Sequence, residues 1–137
     1  MLTFRAGFVV LAIVVAGLDA GFWLFARGPH PMPPRIGFLL AFVLLLALLA
    51  AAAGVVRWEV AVPLAAASTS GLFVVGAAAI FSVGFGFLLA AVVEAALVRH
   101  LVLAASPTGW RGGPGIISSA AAVVPAVFFT AGLLLLR

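Results

Sequence analysis

The chain has 137 residues, 67% of them hydrophobic and 7% charged, and a formal net charge of +4; its mean hydropathy is +1.45. That balance excludes a soluble domain, which would lack the polar surface to face water. It leaves a bundle of membrane helices, because the apolar runs are continuous and do not alternate apolar and polar residues as barrel strands do.

Arginine alone supplies the positive charge, seven residues against three acids. The arginines are spread one or two per connection. Such a pattern speaks of topology and headgroup contact, and argues against nucleic acid as a partner. The absence of cysteine excludes disulfides, thiolate metal sites and thiol nucleophiles.

The first segment carries Arg5 and then an apolar run interrupted only by Asp19. The run is longer than the apolar core of a signal peptide, so it reads as a first span at about 6–26. Trp23 near its end suits the interface. Arg27 to Arg35, RGPHPMPPR, is a clear loop. Its prolines favour a stiff, extended connector that fixes the spacing of two spans. The second span follows at about 36–56. Its end is rich in Ala, and Ala50 and Gly54 have the small-xxx-small spacing that lets a neighbouring backbone come close. Arg57, Trp58 and Glu59 then form a compact polar boundary, with Arg57 and Trp58 as interface anchors.

The stretch from Val60 to Val98 holds a single charge, Glu94. As one helix it would reach roughly 58 Å at about 1.5 Å per residue, about twice what a bilayer core of about 30 Å needs. Two crossings are preferred, at about 62–81 and 87–103, with Ser82 to Gly86 as the turn. Pro63 then falls in the first turn of the third span, where its missing N–H costs nothing. The alternative has four spans: Val60 to Ser70 lies at the membrane surface, and Gly71 to Val98 is one tilted helix. Ser68, Thr69 and Ser70 are the most polar patch of this region. Their hydroxyls can bond back to the carbonyls of their own helix, so they are tolerated mid-span.

Ser106 to Gly115, SPTGWRGGPG, is a second loop, with Trp110 and Arg111 as an interface pair. The last span is placed at about 116–136. Pro125 near its middle is a candidate helix kink, with Ser118, Ser119 and Thr130 available to the backbone groups it frees. The whole chain, 1–137, reads as one integral membrane helical domain, all-α, a polytopic transmembrane bundle. With five spans, Arg5, Arg57, Arg99 and Arg111 share the side of the N-terminus, and Arg27, Arg35 and Arg137 take the other. The positive-inside rule then favours a cytoplasmic N-terminus, by four arginines to three.

Two ionisable residues within the spans, Asp19 and Glu94, are the candidate functional groups, since a carboxyl there is expensive. Each has a structural reading, as partner of an arginine or as a group near the headgroups, and a functional one, as a carrier of a proton or cation. The five-span reading places Asp19 toward the far side and Glu94 toward the near side, which makes them poor partners for direct contact. His30 and His100 fall on opposite sides, so no haem is expected, and no His, Asp and Glu gather at the spacing of a metal site. No cofactor is expected. Catalysis is unsupported, for want of a G-x-S-x-G, H-E-x-x-H or phosphate-loop motif. A lipid-directed enzyme would need a pocket joining Glu94, Arg99 and His100. The expected partners are the lipid bilayer and either other membrane subunits or further copies of the chain, in a bacterial inner membrane. The leading expectation is a non-catalytic structural or accessory subunit. The alternative is a small oligomeric proton-coupled transporter or channel using Asp19 and Glu94.

Overall fold

The computed structural model describes residues 2–28, 31–81, 84–105 and 113–136, and the side chains of these except 2–4, 105 and 113–116. They form five helices: α1 (Leu2–Ala26), α2 (Pro34–Val55), α3 (Trp58–Ala78), α4 (Gly84–Ala105) and α5 (Gly113–Leu135). Each contains a segment long and apolar enough to cross a membrane. The shortest such segment, Ile117–Leu135, has 19 residues, or about 28 Å at about 1.5 Å per residue. That length matches a hydrocarbon core of about 30 Å. The protein is therefore an integral, multi-pass membrane protein built as a bundle of helices.

The four-span alternative fails at the end of α3. The Ala79 N–H closes α3 on Val75 O at 2.9 Å, and the Gly84 N–H returns to Ala79 O at 2.9 Å. These bonds fold the chain back on itself. Gly84 is required by the close approach: a Cβ there would meet the backbone of Ala79 and Gly76, which cannot give way. The turn is earlier than the sequence suggests, with Gly84 and Phe85 already helical. Ser82 and Val83 lie outside the described residues.

Other boundaries also shift. α3 begins at Trp58 because the Arg57 carbonyl accepts from Val60 N–H at 3.0 Å and from Ala61 N–H at 2.8 Å. Pro63 thus sits inside α3 and not in its first turn, and deprives the Glu59 carbonyl of its usual donor. α2 begins at Pro34, with Pro33 as its N-cap at φ −57° and ψ 139°. The polyproline-like geometry therefore reaches Pro33, and Pro34 serves as the first helical residue. α5 begins at Gly113, so the end of the expected second loop is helical.

Four helices form a closed ring in which α1 meets α2, α2 meets α3, α3 meets α4, and α4 returns to α1. α5 lies outside the ring, against α3 and more lightly against α2. Only Val56 and Arg57 separate α2 from α3, and so short a link makes the pair antiparallel neighbours. At the near end, a Cβ on Gly54 would lie 2.9 Å from Arg5 O. α1 and α2 touch there backbone to backbone, as small residues permit. The main core gathers Val15, Phe42, Leu46, Leu72, Val75 and Phe87. A smaller cluster around Phe8, Val62 and Leu101 fills the near end. At the far end Phe38 and Phe42 of α2 stack against Phe128 and Phe129 of α5, with ring centroids 5.2–6.2 Å apart. Arg35 Nε donates to Leu136 O at 3.0 Å and closes the same seam.

Candidate functional site

α3 is the hub of the bundle, in contact with α2, α4 and α5. Successive residues of a helix point about 100° apart. Three consecutive hydroxyl residues on a hub therefore face different neighbours. Ser68 faces α2 and α4, and Ser70 donates to Ala122 O of α5. The bond back to their own helix that the sequence allows is not the one Ser68 and Ser70 make. Ser68 and Ser70 join helices instead, because Leu46 O and Glu94 lie within reach of the one and Ala122 O within reach of the other.

Glu94 is the centre of this arrangement. It is fully buried, 0% exposed, and sits midway along α4 rather than toward the near end. Neither the interface nor an arginine receives it. Ser68 Oγ lies 3.0 Å from Glu94 Oε2 and 3.1 Å from Leu46 O. A hydroxyl has one proton to donate. Both contacts are hydrogen bonds at once when the carboxyl carries a proton and donates it to Ser68 Oγ, leaving the serine proton for Leu46 O. The carboxyl group, the hydroxyl and the carbonyl thereby tie α4, α3 and α2 at one depth. Thr69 Oγ1 and Glu94 Oε1 are both buried without a hydrogen bond.

Asp19 is only half-buried. Among the described residues it makes no ion pair or hydrogen bond. The structure does not bring it to Glu94. Gly17 and Gly21, on the opposite face of α1, have open space around them, so no described residue packs closely there. The Trp23 ring carries the Arg27 guanidinium 4.5 Å from its centroid, a cation–π pair at the far end of α1. At the near end Arg5, Arg57 and Trp58 border a small pocket of about 190 Å³. Arg57 and Glu59 pair at 3.8 Å with both side chains well exposed. Trp110, Arg111 and His30 lie outside the described residues. Pro125 is buried inside α5. Thr130 donates to Ala126 O, beyond the proline and not to the Ala121 carbonyl that the proline leaves without its donor. From another helix, the Ser70 hydroxyl donates to Ala122 O, three residues before the proline.

A groove of about 760 Å³ runs between α4 and α5, with α3 as its floor. Thr69, Phe73, Ala95, Val98 and Arg99 line it. Glu94 and His100 do not, so the triad a lipid-directed enzyme would need is not assembled. Sequence reasoning singled out Glu94 but missed Ser68 as its partner; of the pocket it considered, the groove keeps Arg99 alone. The run of hydroxyls at 68–70, midway along a span, was the available signal. Comparison with family models, with curated proteins and with solved structures finds no match for this chain.

Proposed function

We propose that this chain is a non-catalytic structural or accessory subunit of a membrane complex, seated in a bacterial inner membrane. The observation that carries the reading is the enclosure of Glu94. Its carboxyl group is turned into the bundle, and its Ser68 partner also reaches Leu46 O. A group held in this way fixes the relative depth of three helices, a structural task. Among the described residues the outer faces of the helices are largely apolar, with Val10, Ile13, Leu48, Val92 and Val127 exposed. Such faces suit lipid and other membrane helices alike. The test has two arms. Purified chain in liposomes is expected to give no flux driven by a pH gradient. Gentle purification from the native membrane is expected to yield companions in constant ratio. Flux by the chain alone refutes the proposal.

One observation favours the second reading, a small oligomeric proton-coupled transporter or channel for an ion or apolar compound. Glu94 Oε1 and Thr69 Oγ1 are buried with bonding capacity unused, and Thr69 borders the groove. On that reading Glu94→Gln and Asp19→Asn abolish the flux without unfolding the chain. Flux that survives both substitutions rules it out.

A further inference from the structure

α4 and α5 both pack on α3 but do not meet each other among the described residues. The groove they leave is bounded on the α4 side from Ala91 to Leu103, a length of about 18 Å at about 1.5 Å per residue. Because Glu94 lies midway along α4, the groove runs from just past the bilayer centre to the near surface. That covers the depth of one leaflet, about half of a core of about 30 Å. Its volume of about 760 Å³ falls among small-molecule sites, roughly 300–1,000 Å³.

Among the described residues the walls are apolar except for Thr69, Ser70 and Arg99. The Ser70 hydroxyl is already engaged with Ala122 O. Arg99 is exposed and makes no ion pair or hydrogen bond with any described residue. No carboxylate lines the groove from α3, α4 or α5. A guanidinium within a span calls for an anion, and its fork of donors matches a phosphate. A second copy of the chain is a poor occupant. Among the described residues the near end carries Arg5, Arg57 and Arg99 against one acid, Glu59, and Glu59 already pairs with Arg57. We propose that the groove holds one anionic phospholipid, an acyl chain along Phe73, Val98 and Val102 and the phosphate on Arg99.

The test reconstitutes the full chain in vesicles of equal phosphatidylglycerol and phosphatidylcholine, extracts it in mild detergent, and counts retained lipid by native mass spectrometry. The wild type is expected to keep one phosphatidylglycerol per chain. Arg99→Gln, an exposed change that leaves packing intact, is expected to lower that retention about fivefold, the effect of one arginine near a lipid phosphate. Ala95→Trp fills the groove and is expected to exclude the lipid while circular dichroism stays unchanged. Equal retention of the two lipids by the wild type overturns the proposal. So does undiminished phosphatidylglycerol on Arg99→Gln, a fatty acid in place of a phospholipid, or a dimer of the chain that Ala95→Trp dissociates.

Discussion

Replacing Ser68 by alanine isolates the polar node at the centre of the bundle. Leu46 O keeps its place in the α2 helical ladder, so its loss is small. Glu94 is different. Its Oε2 loses the Ser68 contact, and its Oε1 has no hydrogen bond to begin with. Stranding a buried polar group costs about 1–3 kcal/mol, and hydrogen bonds between membrane helices average about 0.6 and reach about 1.7 kcal/mol. Ser68→Ala is therefore expected to destabilise by about 1–2 kcal/mol. Glu94→Met removes the stranded carboxyl, keeps the side-chain length, and leaves Ser68 its contact with Leu46 O. Removing both partners is close to neutral. The double variant Ser68→Ala, Glu94→Met is thus expected to be more stable than Ser68→Ala alone. Reversible unfolding in mixed micelles, read by circular dichroism, gives the four corners of the cycle. Additive effects would sink the reasoning, since they would mean that the carboxyl and the hydroxyl do not depend on each other.

Three further outcomes follow from packing. Gly84→Ala puts a methyl into the backbone of Ala79 and Gly76 and is expected to cost at least about 1–3 kcal/mol; a melting temperature equal to that of the wild type contradicts the turn. Phe129→Ala opens the aromatic seam between α2 and α5. Lipid compensates part of the loss, so about 2 kcal/mol is expected in the same micelle unfolding assay instead of the roughly 3–5 of a soluble core; an unchanged stability contradicts the seam. Glu59→Ala removes an exposed ion pair with Arg57 and is expected to shift stability by under about 1 kcal/mol; a larger loss in the same micelle assay means that Glu59 has a second role.

The helices were legible because a bilayer demands long apolar runs, and each run here is bounded by Arg, Pro or Gly. Their ends were less so. Pro63 misled, since a proline suits a first turn but is tolerated deeper when the chain has already begun to coil at Arg57. The turn before Gly84 holds no charge, and only the collision of backbones there makes the glycine necessary. Glu94 announced itself as a lone charge in an apolar span. Its partner did not, because Ser68 and Glu94 are far apart in sequence and only the antiparallel return of α4 along α3 brings them level. The groove was beyond reach for a similar reason: it exists because α4 and α5 take different sides of α3.

The closed ring of α1 to α4 with α5 outside it also has a history in time. A chain emerges from its N-terminal end and domains form as they appear. α1 has only α2 beside it until α4 arrives, so the ring is sealed late, by a helix that brings the buried carboxyl with it. α5 is made after α4 and meets a completed wall. Its aromatic pair, Phe128 and Phe129, finds Phe38 and Phe42 already in place. α5 thus acts as a latch, and a chain cut before residue 113 would present a finished ring without it.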